Sequence, residues 1–283
     1  MNQTPRPTRS EQREAARAQA KALREQHKKN ERRKGVFIKL GVGLGILGVF
    51  AIIAAVVIGG ISNNGGSAEK PTNLTADFGI KIGANGEAFT ATHTPKPTPS
   101  AGATAAPASP LAIVTYVDYQ CPYCQMFELA NLDQIQGWLN DGTATLEVRP
   151  LSFLDGRATP NEYSSRAAGL ALAVASFDPD RFFAVNKYLY DNQPAENTAG
   201  PSNDAMLSGI QALGVKNMDQ ITAAVKDGRF QKWILNNTAE VFKVNTDLAG
   251  HGTPYVTVNG QMYQGAVDNA AQFAQFVTSL LTK

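Results

Sequence analysis

Three regimes of apolar patterning follow one another along the chain. From Leu40 to Ile58 neither a charge nor a proline occurs, and at about 1.5 Å per residue that run spans roughly 29 Å as a helix, the depth of a bilayer core. A helix apolar all round and preceded by Arg32-Arg33-Lys34 does not suit a small soluble core, so it predicts a membrane span. Lys39 can snorkel to the headgroups, which sets the span at 36–61. The pattern then weakens. Residues 62–75 are a polar, Gly/Asn-rich spacer; Phe78 to Ile82 alternates, Asn85-Gly86 is a turn dipeptide, and Glu87 to Thr90 can return as an edge hairpin within 76–92. The Pro- and Ala-rich stretch 94–110 cannot build a core and reads as extended linker.

The third regime, 111–283, is a compact α/β domain. Leu111 to Tyr119 is a β-branched and aromatic run, hence a buried strand. From Cys121 to about Asn140, apolar residues at Met126, Leu129, Leu132, Ile135, Trp138 and Leu139 follow helical spacing, and Asn140-Asp141-Gly142 stops the helix. Thr143 to Val148 alternates as a second strand. Helical patterns then cover roughly 160–176, 179–192, 202–213, 217–227 and 229–249, an insertion of about 157–249. Strand signal returns at Tyr255–Val258 and Gln261–Tyr263 around Asn259-Gly260, before a last helix over Asp268–Leu281. Trp138, Trp233, Phe182 and Phe183 fall on helical apolar faces and read as packing.

Charge sharpens the organisation. The overall net of +2 is a cancellation: residues 1–34 hold 11 Lys/Arg against 4 Asp/Glu, whereas 62–283 hold 14 against 20. The acidic main domain argues against nucleic-acid binding. The basic tail, 1–35, in which Leu23 is the only large apolar residue from Ser10 to Lys34, reads as an orientation signal touching membrane lipid. A basic lead of this length and the lack of a small-x-small site favour a retained signal anchor over a cleaved signal. The expected arrangement is a single-pass protein of the cell membrane, its N-terminus cytoplasmic and residues 62–283 extracytoplasmic.

Candidate chemistry concentrates in Cys121-Pro122-Tyr123-Cys124, which holds the only two cysteines of the chain. A structural staple closing so short a loop removes little unfolded-state entropy. With only His27, His93 and His251 to complete a ligand set, a metal site is not expected. A strand ends just before Cys121 and a helix begins there, so unpaired N–H groups and the helix dipole stabilise a Cys121 thiolate. Pro122 suits the first helical turn, where no N–H is missed. Cys124, one turn further in, is placed to attack a mixed disulfide on Cys121. Asp118 reads as a solvated or turn-capping carboxylate, and His251 as a loop histidine in contact with solvent.

The run Tyr116-Val117-Asp118-Tyr119-Gln120-Cys121-Pro122-Tyr123-Cys124, the helical block interrupting the α/β core, and Gly252-Thr253-Pro254-Tyr255 opening the final hairpin together resemble the DsbA-like thiol:disulfide oxidoreductases of the thioredoxin superfamily, in their membrane-anchored bacterial form. The resemblance implies a thioredoxin-like fold, a redox-active Cys121–Cys124 disulfide in place of any cofactor, and a cis Thr253–Pro254 bond beside it. It implies that the Thr253 backbone pairs with exported protein substrates, with Pro122, Tyr123 and Pro254 shaping the site. A DsbB-like protein or vitamin K epoxide reductase homologue would reoxidise the pair. Two positions depart from the superfamily pattern: the buried acid expected six residues before the first cysteine is Thr115, a candidate proton-transfer position without a carboxylate, and Pro122-Tyr123 offers no cation. Oxidase, reductase or isomerase, and non-catalytic tethered binding module all remain open on sequence.

Overall fold

The computed structural model describes residues 68–97, 109–155 and 162–281. The membrane span expected at Leu40–Ile58 and the basic tail lie outside them, and among the described residues no helix is long and apolar enough to cross a membrane.

β2 (Leu111–Asp118) is the middle of a five-stranded sheet ordered β1-β3-β2-β4-β5. Its parallel partner β3 (Ala144–Leu151) is reached through helix α1 (Pro122–Asn140), and the chain turns between the last two at Gly142, whose φ of 78° glycine adopts without strain. On the other side β4 (Tyr255–Val258) runs antiparallel to β2 and folds back to β5 (Gln261–Met262). Asn259 and Gly260 both take positive φ there, as a two-residue hairpin turn requires. β1 (Ile80–Ile82) closes the far edge, antiparallel to β3, with Ile80 opposite Val148 and Ile82 opposite Leu146.

The return arm expected after Asn85-Gly86 shrinks to one bridge, Ile82 with Ala88. Ala84–Gly86 form a 3-10 turn, and the chain bends away where Thr90 N–H donates to His93 O, which ends the ladder.

After β3 the chain enters the predicted helical block: α2 (Tyr163–Phe177), a 3-10 turn at Pro179–Arg181, α3 (Phe182–Asp191), α4 (Asn203–Ala212), α5 (Met218–Lys226), α6 (Arg229–Val244) and α7 (Thr246–His251). α8 (Ala270–Leu281) follows the hairpin. The single helix expected over 229–249 is two, because Asn245 leaves helical geometry (φ −109°, ψ 87°) and its side chain accepts from Leu248 N–H, capping α7. α2 is the block's central helix, its small residues Ala167 to Ala175 buried so that neighbours approach closely. A side chain at Gly169 would meet the Gln231 backbone of α6 at 2.9 Å. Phe182 and Phe183 are buried, and Trp138 and Trp233 pack half-buried against the same core.

α1 buries Leu132, Ile135 and Leu139 as its apolar spacing predicts, but its first turns depart from that pattern. Cys124, Phe127, Glu128, Asn131, Leu132, Ile135 and Leu139 are buried, while Met126 and Leu129 are exposed. Two polar residues can occupy that face because each is satisfied: Glu128 accepts from Asn186 Nδ2 at 3.2 Å, and Asn131 donates to Phe127 O and Val267 O.

Candidate active site

β2 ends at Asp118 and α1 begins at Pro122, so the intervening residues turn sharply with Cys121 as the helix N-cap. Cys121 N–H donates to Asp118 O at 3.1 Å, which closes the turn, and Pro122 occupies the first helical turn. The Asp118 N–H in turn points at Cys124 Sγ, 3.5 Å away. Cys121 is 6% exposed and Cys124 wholly buried, both as free thiols.

The last loop reaches the sulfurs from the other side of the sheet. Gly252 takes φ 78° and ψ −155°, which a side chain would oppose, and the Thr253–Pro254 bond that follows is cis. This places Thr253 O 3.3 Å from Cys121 Sγ. The Thr253 hydroxyl, buried beside the sulfur with no other partner among the described residues, can donate to a thiolate there.

These contacts drive the two thiols apart. Cys121 is pulled down to about 6, chiefly by the hydrogen bond from the Cys124 thiol, then by Thr253 and the amides of Cys124 and Tyr123, against the opposing cost of burial. The helix N-terminus thus acts as expected, although the partner sulfur is the larger contributor. Cys124 is pushed well up, first by burial and then by the charge on Cys121. The extra stability this lends the reduced protein is full above the ordinary thiol range near 9 and is lost as the pH falls through about 6. Alkylation of Cys121 in the reduced protein is therefore expected to be half-maximal near pH 6, with Cys124 unmodified at neutral pH. Mass mapping after a pH series checks this, and a midpoint above pH 8 would contradict the geometry described.

The helical block is sewn to this turn by glutamines. Gln120 Nε2 donates to Ala195 O and Thr198 O, Gln125 Nε2 donates to Tyr190 O, and Gln193 Nε2 donates to Cys121 O. The insertion therefore packs beside the cysteines. Tyr123 stands 62% exposed at the lip, and Met126 and Leu129 continue an apolar surface along α1.

Thr115 lies within β2 between Val148 and Val256, buried, its hydroxyl without a hydrogen-bond partner among the described residues. The carboxyl nearest the redox pair in sequence is Asp118, and it is not solvated: it has no exposure. Its Oδ1 accepts from Gln120 N–H at 2.8 Å and Ser164 Oγ–H at 2.7 Å, and its Oδ2 accepts from Leu154 N–H at 2.9 Å. Burial raises it to about 6 despite those donors. Sequence reading passed over two further buried acids. Asp155 accepts from Ser165 N–H at 3.0 Å and is raised to about 7 by burial; Glu128, one turn beyond Cys124, is likewise raised to about 7. The signal for Glu128 was its i+4 spacing from Cys124, with its buried partner Asn186 held in turn by Tyr119 Oη–H. His251 is exposed, its Nδ1 2.8 Å from Asp247 O and its ring 6.0 Å from that of Tyr255, so its hydrogen bond is to its own helix. Among the described residues no cluster of His, Cys, Asp and Glu is arranged to hold a metal ion.

Comparison with known proteins bears on this arrangement. Residues 95–278 match the family model described as Thioredoxin. None of the curated proteins matches the chain. Among solved structures, the thiol-disulfide oxidoreductase MdbA from Actinomyces oris superposes with a TM-score of 0.57 at 18% identity, over 77% of this chain and 96% of that one. The disulfide bond oxidoreductase DsbG from Mycobacterium tuberculosis, in its reduced form, gives 0.56 at 21%, over 72% and 88%. Oxidised Mtb DsbA gives 0.55 at 22%, over 72% and 93%. What is shared at these identities is the fold, a mixed α/β core interrupted by helices.

Proposed function

Because the chain belongs to the thioredoxin family, we propose that it is a protein thiol:disulfide oxidoreductase of the DsbA type, working outside the cytoplasm to introduce disulfides into exported proteins. The observation that carries this reading is the asymmetry of the two sulfurs: Cys121, at the helix N-cap and 3.3 Å from the Thr253 carbonyl, is the more readily ionised, and Cys124 is a wholly buried thiol held one turn deeper. A disulfide that only stapled a helix end would need neither a depressed thiol nor a backbone carbonyl beside it.

In the reaction a substrate thiolate attacks Cys121 Sγ, the Cys121–Cys124 bond breaks, and the electron pair leaves on Cys124. A second substrate thiolate then attacks the substrate sulfur of the mixed disulfide, and Cys121 departs as the stabilised thiolate. The backbone of Thr253 holds the substrate chain as an added strand, and Tyr123, Met126 and Leu129 offer apolar surface to an unfolded segment. The 36–61 segment anchors the protein with its basic tail in the cytoplasm, and a DsbB-like protein or vitamin K epoxide reductase homologue in the same membrane restores the disulfide.

Direction depends on potential. The helix N-terminus favours the reduced form and so makes the pair oxidising, while Pro122-Tyr123 lacks the added cation of the strongest oxidants. The expected value against glutathione is roughly −220 to −140 mV, between thioredoxin and DsbA. A value below about −260 mV would reverse the assignment to a reductase.

A further inference from the structure

Opening the Cys121–Cys124 bond leaves an electron pair on a sulfur with no exposure, and closing it requires that same buried thiol to lose its proton. Either way a proton must cross a region from which water is excluded, and an ionised sulfur buried without compensation is costly. The position from which the superfamily often supplies a carboxylate holds Thr115, whose hydroxyl cannot accept the proton at neutral pH.

Asp118 satisfies what that step asks. It is wholly buried, its own N–H donates to Cys124 Sγ at 3.5 Å, and its carboxyl is within electrostatic reach of both sulfurs. Its oxygens are gripped from three elements: the active-site turn through Gln120, the segment after β3 through Leu154, and the first turn of α2 through Ser164. A second buried carboxyl, Asp155, accepts from the next residue of α2, Ser165, and its other oxygen lacks a partner among the described residues. The groups facing this pair are Cys121 from the active-site turn, Cys124 from α1, Tyr163 and Arg166 from α2, Tyr190 from α3, and Glu162. Only Arg166 among them is a cation, and its guanidinium donates to Pro201 O, Ala199 O and Asn203 Oδ1. The charge on Asp118 helps hold Asp155 up at about 7, so Asp155 stays protonated where Asp118, at about 6, ionises.

We propose that Asp118 is the group that exchanges a proton with Cys124. This rests on the oxidoreductase reading given above. In the closing direction the Asp118 carboxylate takes the proton from the Cys124 thiol, and the resulting thiolate attacks Cys121 Sγ of the mixed disulfide. The Cys121–Cys124 bond forms, the bond from Cys121 to the substrate breaks, and the electron pair leaves on the substrate sulfur. Asp118 then releases the proton to solvent. In the opening direction each transfer reverses, the proton given to Cys124 being replaced by one from the substrate thiol. The carboxylate carried at position 115 elsewhere in the superfamily has its counterpart here at the end of the same strand, where it is shared with the entrance to the helical insertion.

The test uses the full-length reduced protein mixed in stopped flow with a chromogenic aromatic disulfide. The first coloured thiolate released reports attack by Cys121 on the reagent, and the second reports attack by Cys124 on the mixed disulfide. The second phase of the wild type should rise with pH through an inflection near 6, where Asp118 ionises. Asp118→Asn should slow that phase about tenfold or more at pH 7 and abolish the inflection without slowing the first phase. Asp155→Asn should keep a rapid second phase with its inflection still near 6, because Asp155, raised to about 7, is already protonated where Asp118 ionises. An unchanged second phase in Asp118→Asn, or an inflection that disappears in Asp155→Asn, overturns the assignment. Should Asp118→Asn fail to fold, the wild-type profile decides: a second phase without an inflection near 6 overturns the assignment. Because the reagent is not a protein, the outcomes separate cleanly: phases that behave as stated in a protein unable to oxidise or reduce unfolded polypeptides support the proton assignment and remove the function proposed above.

Discussion

Cells carrying full-length Cys124→Ser will accumulate mixed disulfides between this protein and exported proteins, and cells carrying Cys121→Ser will accumulate none. With its ionisation near 6, Cys121 is about 90% thiolate at pH 7, against about 1% for a thiol titrating near 9. Even after the lower intrinsic nucleophilicity of a low-pKa sulfur is discounted, it is the better attacking and leaving group. Cys124, wholly buried and pushed upward, meets no substrate directly and acts only on a sulfur already joined to Cys121. Removing it leaves the first exchange intact and deletes the internal attack that would clear the intermediate. Removing Cys121 takes away the more accessible and more readily ionised sulfur, so disulfide formation in substrates should fall to background. Non-reducing gels with mass identification of the trapped partners read both variants. Equal trapping by the two, or trapping by Cys121→Ser alone, would reverse the roles given to the sulfurs.

The local geometry on which those proposed roles rest was legible in the sequence because it depends on neighbours in the chain. The strand that ends before Cys121, the proline after it and the one-turn spacing to Cys124 are all local, and so is the order of strands and helices around them. What was not legible depends on partners far away. Asp118 looks solvated at a strand end, and becomes a buried acid only because Leu154 and Ser164 arrive from 36 and 46 residues on. Apolar spacing alone assigned Met126 and Leu129 to the core of α1. Glu128 and Asn131 hold that face instead because Asn186 and the Val267 carbonyl satisfy them. The break at Asn245 was hidden for a related reason: its residues suit a helix, and a side-chain cap to Leu248 makes the kink inexpensive.

The same dependence on distant partners decides where the folded domain begins, and it carries a second large expected effect. By its apolar pattern the domain starts at Leu111, with the preceding segment no more than a decoration of the edge. In the structure that segment is a strap. Thr72 and Asn73 hydrogen-bond to Ser176 and Ala175 at the end of α2, Phe78 stands edge-on to Trp233 of α6, and Asn85 N–H donates to Asn140 Oδ1 at the end of α1. Between these ties β1 lies along β3, and Ile80 and Ile82 are both wholly buried. Truncating one buried isoleucine to alanine costs about 2–5 kcal/mol, and the double change Ile80→Ala with Ile82→Ala roughly 4–10 kcal/mol if the two are independent. Domain stabilities of about 5–15 kcal/mol leave little after such a loss. Freed from β1, the edge of β3 would also present unpaired backbone groups to other chains. The double variant is therefore expected to unfold at much lower urea and to aggregate on refolding, whereas Lys81→Ala between the two, a half-exposed side chain, should stay within about 1 kcal/mol of the wild type. Urea unfolding followed by circular dichroism measures both. A double variant as stable as Lys81→Ala would mean that β1 contributes nothing and that the domain does begin at Leu111.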